Sequence, residues 1–159
     1  MTRRVLATIL AAVVTLGLAS AAMAAGSPSR SSKPKEPDSY SQAVDAVKAG
    51  DYTKALSLLQ KVVDRDSRNA DAWNYIGFSH RKLEHYDKSL AAYQKALSID
   101  PEHKGALEYL GELYVQTGEI EKAKAQLEKL DDVCGIFGCE EYDDLKAAIE
   151  RGQAGRQSS

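Results

Sequence analysis

The sequence predicts an all-α fold, a solenoid of stacked helical hairpins, and two observations carry that prediction. Apolar and small residues recur with a period of 34 from about Glu36 to Phe137, and within each period they fall at i, i+3, i+4 and i+7, the spacing of one helix face. A turn signal then splits every period in two: Gly50-Asp51, Glu84-His85 and Gly118-Glu119 fall at the same place in successive periods. Such a unit is a helical hairpin, and it buries its apolar face only by stacking on the next one.

The first unit, 36–69, predicts helices at about 39–49 and 52–65. Its second-helix pattern (Tyr52, Ala55, Leu59, Val62, Val63) is clear, while Ser39, Gln42, Ala43 and Ala46 mark the first helix only weakly. The second unit, 70–103, is the plainest. Trp73, Ile76, Gly77 and His80 fall on a helix over 70–82, and Tyr86, Ser89, Tyr93, Ala96 and Leu97 on one over 86–99. Asp100-Pro101 ends that helix, because the residue before a proline is pushed out of the helical region. The third unit, 104–137, places Leu107, Leu110, Gly111 and Tyr114 on a helix over 103–116, and Ile120, Ala123, Leu127 and Leu130 on one over 119–131. Gly77 and Gly111 would let a neighbouring helix come close, with Trp73, Tyr93, Leu107 and Leu127 filling the space around the contact. A seventh helix over 140–151 carries Tyr142, Leu145, Ala148 and Ile149 on one side and reads as a cap for the open apolar end. Gly152 to Ser159 reads as a disordered tail.

These residues resemble the tetratricopeptide repeat, whose pattern is W-x2-L-G-x2-Y, then A-x3-F, then a proline. The match is strong in the second unit, good in the third and partial in the first. The departures are Ile76 for Leu, His80 for Tyr, Ser89 for Ala, and Gly135 where a proline would close the third unit. The resemblance implies a right-handed solenoid of about three hairpins with its cap, over 39–151. It also implies a non-catalytic protein without a cofactor, binding a protein or peptide in a concave groove lined by the first helices. Carried over by position, the groove residues are Tyr40, Val44 and Val47, then Asn74, Phe78, Arg81 and Lys82, then Glu108, Glu112, Val115 and Gln116. Phe78 is the most informative, since an aromatic away from the packing positions is the kind of anchor that contributes disproportionately to binding. Packing of Phe78 on a neighbouring hairpin or on the cap remains the alternative. Some family members hold chaperone C-termini with a two-carboxylate clamp of Lys, Asn and Arg. Here those places hold Tyr40, Val44, Tyr75, Gly105 and Tyr109, so the clamp is missing.

The N-terminal stretch differs in composition from everything after it. Arg3 and Arg4 precede an uncharged apolar run, Val5 to Ala22, and Ala22-Met23-Ala24 has the small-x-small form of a cleavage site, so residues 1–24 predict a signal peptide. An uncleaved anchor is the alternative, because the length of that run is near the lower limit for spanning a bilayer. Cleavage would release the chain into the periplasm or its equivalent, with no membrane insertion afterwards. Residues 25–38, with three prolines and few apolar side chains, predict a flexible linker. Removal of Arg3 and Arg4 leaves 19 basic against 23 acidic residues, a formal charge of −4. With both signs interspersed along the helices, that charge argues against nucleic acid as a partner. A protein or peptide of the cell envelope is the partner expected, with a monomer favoured over a self-assembling repeat protein.

Cys134 and Cys139, the only cysteines, bracket Gly135-Ile136-Phe137-Gly138. In an exported protein such a pair predicts a disulfide pinning the cap to the third hairpin. Redox work and soft-metal handling stay open as functional alternatives, although redox thiols are usually two residues apart and tetrahedral zinc needs four ligands. Phe137, between two glycines, would then be free to act as an exposed contact. His80 stands where the repeat has tyrosine and reads as a packed side chain; His85 falls in a turn and His103 begins a helix. The acid pairs Asp131-Asp132, Glu140-Glu141 and Asp143-Asp144 read as solvated helix ends, with a divalent-cation site there as the alternative.

Overall fold

A computed structural model describes residues 38–157 of the chain; the expected signal segment 1–24, the linker up to residue 37 and the last two residues lie outside the described residues. Among the described residues seven α-helices follow one another: α1 (Ser39–Lys48), α2 (Tyr52–Arg65), α3 (Ala70–Lys82), α4 (Tyr86–Ile99), α5 (Lys104–Gln116), α6 (Ile120–Cys134) and α7 (Glu140–Gln157). A single 3-10 turn, Gly135–Phe137, separates the last two. The helices pair as α1 with α2, α3 with α4 and α5 with α6. Each hairpin stacks on the next through α2 with α3 and α4 with α5, and α1, α3 and α5 touch in succession. The fold is therefore the all-helical solenoid that the period implies.

Turn chemistry repeats with the sequence. At each hairpin bend one residue takes a left-handed backbone: Gly50 (φ 76°), Glu84 (φ 60°) and Gly118 (φ 83°). The next residue's N–H then donates back to the carbonyl five positions earlier: Asp51 to Ala46 at 2.9 Å, His85 to His80 at 2.9 Å and Glu119 to Tyr114 at 2.7 Å. This backbone closure satisfies carbonyls that the helix end leaves unpaired. Helix starts are capped by side chains where the sequence offers an acceptor. Asp38 accepts from Ser41 N–H at 2.8 Å, Asp51 from Lys54 at 3.0 Å and Asn69 from Ala72 at 2.8 Å. His103 caps α5 in the same way through Nδ1, which accepts from Ala106 N–H at 3.1 Å, and its Nε2 then donates to Asp71 at 3.0 Å. It stands just before the helix whose start the sequence assigns to it.

Close approach decides the packing. A Cβ on Gly77 would lie 2.5 Å from the Tyr93 ring, and Tyr93 is fully buried. Ser89, standing where the repeat usually has alanine, donates its hydroxyl to the Gly77 carbonyl at 2.8 Å inside this contact. Gly111 makes the equivalent opening in α5, and there the nearest filler is Leu145 of α7, 2.5 Å from where a Cβ would sit. The cap thus enters the third hairpin's own notch; Leu127, expected nearby, is half-buried in the same cluster.

Two boundaries differ from expectation by more than one residue. Helix α6 runs to Cys134, and α7 continues to Gln157 through residues expected to form a tail. Gly152 explains the second difference: a Cβ there would fall 2.6 Å from Val115 Cγ1, so this glycine serves contact with α5 and does not break the helix. Cys134 and Cys139 are disulfide-bonded with their Cα atoms 5.6 Å apart, and the loop they close leaves Ile136 and Phe137 each 94% exposed.

Two stability measurements test these readings by urea unfolding. Glu84→Gly should raise the unfolding free energy by about 1 kcal/mol, because it relieves a left-handed conformation that costs a side-chain-bearing residue about 1–2 kcal/mol. Reduction of the disulfide should lower stability by about 2 kcal/mol, the loop-closure entropy of so short a ring.

Candidate functional site

The first helices of the three hairpins present one face on which most of the expected groove residues lie. The structure orders aromatic side chains along it. The Tyr40 and Tyr75 rings meet edge-on at 6.1 Å, and Phe78 lies 6.1 Å from Tyr52 and 5.0 Å from Tyr109. Tyr109 in turn lies 6.4 Å from the buried Tyr93. Phe78 is half-buried in this row, so the packed and the exposed readings each describe part of it. Tyr40, Val44 and Val47 are half-buried as well. Burial, with Asp71 and Tyr75 nearby, lifts the Tyr40 hydroxyl to about 12, and burial with Glu108 and Glu112 does the same for Tyr109. Both phenols therefore remain neutral donors at any physiological pH.

Arg81 is placed differently from expectation. Its position in the repeat implies a free cation waiting for a ligand carboxylate, but its side chain is 3% exposed and its Nη2 lies 2.5 Å from Glu112 Oε2. The guanidinium also stands 5.4 Å from the Phe78 ring centre and 5.6 Å from that of Tyr109. A guanidinium so deeply desolvated requires a counter-charge, and α5 places Glu112 to provide it. Arg81 thus ties α3 to α5 beneath the aromatic row. Lys82, next along, is exposed and holds its ammonium 5.1 Å from the Phe78 ring, so the cation open to a partner here is Lys82.

Asn74 is buried, and its Oδ1 is an acceptor without a hydrogen-bond partner beneath this face, out of reach of solvent. In the third hairpin, Glu108 is buried and Val115 half-buried, while Gln116 is exposed. Helix α7 borders this part of the face. Val115, Gln116, Glu112 and Arg81 share a cleft of about 350 Å³ with Ala148, Arg151 and Gly152. The groove that the sequence treats as open on its third-unit side is flanked there by the cap.

Tyr75, Tyr109 and Tyr52 are not among the groove residues that sequence position names. A signal for two of them exists, because Tyr109 stands one full period after Tyr75 at the same helix position, but by position alone both are only occupants of clamp places. The histidines lie elsewhere. His80 and His85 face each other at 5.6 Å across the α3–α4 turn, and burial with the charges of His85 and Lys88 holds the His80 pKa below the ordinary value. No group of three His, Cys, Asp or Glu residues among the described residues is placed to hold a metal ion, and no described helix is long and apolar enough to cross a membrane.

Glu108 is the electrostatic anomaly. Burial first, then Glu112, Asp144 and Glu141, push its carboxyl up to about 8, against a smaller opposing pull from Arg81. Between the ordinary value of 4.5 and about 8 the folded chain holds a proton that the unfolded chain has released, so stability falls as pH rises through that window. Glu108→Gln removes the slope. Its stability relative to the parent should improve by about 1–2 kcal/mol between pH 5 and pH 8.5, a figure discounted for water reaching the carboxylate, as read by urea unfolding at each pH.

Three family models described as tetratricopeptide repeat match the chain, at residues 40–77, 70–103 and 107–134. No curated protein matches the sequence. Among solved structures, the type III secretion translocator chaperone SycD of Yersinia enterocolitica superposes with a TM-score of 0.66 at 17% identity, over 75% of this chain and 83% of that one. The Sgt2 TPR domain of Aspergillus fumigatus gives 0.66 at 18% identity, over 79% and 81%. PcrH, solved in complex with the chaperone binding region of PopD, gives 0.65 at 17% identity, over 74% and 90%. At such identities the likeness speaks for the fold.

Proposed function

Because the chain belongs to the tetratricopeptide-repeat family, we propose that it is an exported, non-catalytic adaptor holding an extended segment of a partner protein in its groove. The observation that carries this reading is the aromatic row Tyr40, Tyr75, Phe78 and Tyr109, half-buried along three successive first helices. Half-buried rings offer apolar area already fixed in place, so a ligand would bury surface on them at little conformational cost. Lys82 supplies a cation at the rim. Known structures of this fold agree in kind, since PcrH was solved holding a region of PopD.

Export rests on the N-terminal sequence and is supported by the disulfide, a bond that persists in oxidising compartments such as the periplasm. The mature protein, residues 25–159, works as a monomer with its partner among envelope proteins, and the disulfide serves stability. Light scattering should give a mass equal to one mature chain at every concentration.

Capture of envelope proteins on residues 25–159 tests the reading directly, with Phe78→Ala and Lys82→Glu as comparison variants. Arg81 is not used, because removing it would expose the α3–α5 joint. A partner held by the parent and lost at least tenfold by Phe78→Ala, with circular dichroism unchanged, is the expected result. Identical capture by all three proteins would reject the groove. For export, the protein recovered from the cell should have an intact mass that begins at Ala25; a mass that retains Met1 to Ala24 would reject cleavage.

A further inference from the structure

Where α5 meets the first turns of α7, a cleft of about 210 Å³ is lined by Glu108, Tyr109, Glu140, Glu141 and Asp144. Four of the five are carboxylates. Two of them need no ligand to explain them, since Glu140 and Glu141 sit in the first turn of α7, where the helix dipole favours negative charge, and Asp144 stands one turn further on. Glu108 has no such explanation. It comes from the middle of α5, is 7% exposed, and its carboxyl has no side-chain hydrogen bond or ion pair among the described residues. A carboxylate in that position without a partner costs more than a neutral side chain of the same shape would.

The charges around it deepen the imbalance. Glu112 lies on its own helix and is engaged by Arg81 of α3, the one cation bearing on Glu108 among the described residues. Glu140, Glu141 and Asp144 face it from α7, and Tyr109 lines the wall. The cleft is therefore a negatively charged seat with no resident counter-charge. A metal ion is the wrong occupant, because the carboxylates do not converge into a group able to hold one. An organic cation on a chain fits better, as it spreads charge over several oxygens and can rest against the Tyr109 ring.

We propose that this cleft is the seat for a lysine or arginine side chain of the extended partner segment, with Glu108 as its buried counter-charge. The inference rests on the groove reading above and fixes one feature of the ligand: a basic residue positioned at the cap end of the groove. It also makes binding pH-linked. Glu108 is protonated in the empty cleft below about pH 8, and an arriving cation favours the carboxylate, so occupancy expels a proton. Affinity therefore rises with pH up to about 8 and then levels.

The probes are blocked tetralysine and tetra-arginine peptides, with acetyl-lysine and citrulline counterparts as neutral controls. Binding to the full mature chain is followed by amide NMR shifts up to millimolar peptide from pH 6 to 9. The basic peptides should shift amides of α5 and the start of α7, the neutral ones should not, and affinity should climb by up to about tenfold per pH unit below pH 8, the limit for one proton released. Glu108→Gln should weaken binding at pH 8 at least fivefold and flatten the pH profile. The double variant Asp131→Asn/Asp132→Asn, which removes more charge from α6 outside the cleft, should change affinity less than twofold. Absence of shifts at millimolar peptide, equal binding by Glu108→Gln, or an equal loss in the α6 variant would each overturn the proposal. So would calcium chloride producing the same shifts in place of the peptides. Failure of the groove reading looks different: partner capture would then survive Phe78→Ala, whatever the cleft does with lysine.

Discussion

The contact between the bare backbone of Gly77 and the ring of Tyr93 fixes the central hairpin, and the other two hairpins are built out from it. With Gly77 turned toward α4, helix geometry sends the residues on either side of it in roughly opposite directions. Ile76 goes into the core shared with the first hairpin, while Phe78 faces Tyr109 of α5 and Tyr52 of α2. Ser89 reinforces the approach by bonding the carbonyl that the missing side chain uncovers. Any side chain at position 77 would separate the helices and displace Phe78 and Arg81 together, so the binding face and the core share one geometric condition.

The helices themselves were legible because a repeating unit states its pattern several times, so a weak first unit is corrected by a clear second one. The turns were legible for the same reason, and Glu84 falls at its bend although it lacks the glycine of its two counterparts. What could not be read was the point at which periodicity stops. The cap does not follow the pattern of the repeat, so nothing in the period announced that Leu145 would fill the notch at Gly111 or that Gly152 would lie against Val115. The tail expectation failed because glycine, a breaker in many helices, here allows a close contact.

For the candidate site, sequence position named the face but not the state of its charges. Arg81 and Glu112 sit on different helices in different repeats, and no local pattern reveals that they meet. Glu108 and Glu112 are one turn apart on the same helix and look equivalent in the sequence, yet one is answered by a guanidinium and the other is not. That asymmetry comes from the offset of α3 against α5 and from the cap's acidic first turn. Both are tertiary facts. The aromatic row was partly visible through the one-period relation of Tyr75 to Tyr109, and only the ring contact of Tyr109 with Phe78 ties Phe78 into it.

Among the described helices the two ends of the solenoid are held unequally. At the far end α7 covers both α5 and α6, and a covalent bridge joins α6 to the start of α7; at the near end α1 rests on α2 and α3, with no further described helix over it. In a fold held by nearest-neighbour contacts, cooperativity weakens toward the end with fewer neighbours. Among the described helices, local opening is therefore costlier at the bridged end than at α1. The groove accordingly has a yielding half, around Tyr40 and Val44, and a stiff half, around Tyr109 and the cap. A ligand anchored first at the stiff half would be able to recruit the rest by ordering it, which separates where recognition begins from where most of the surface is buried.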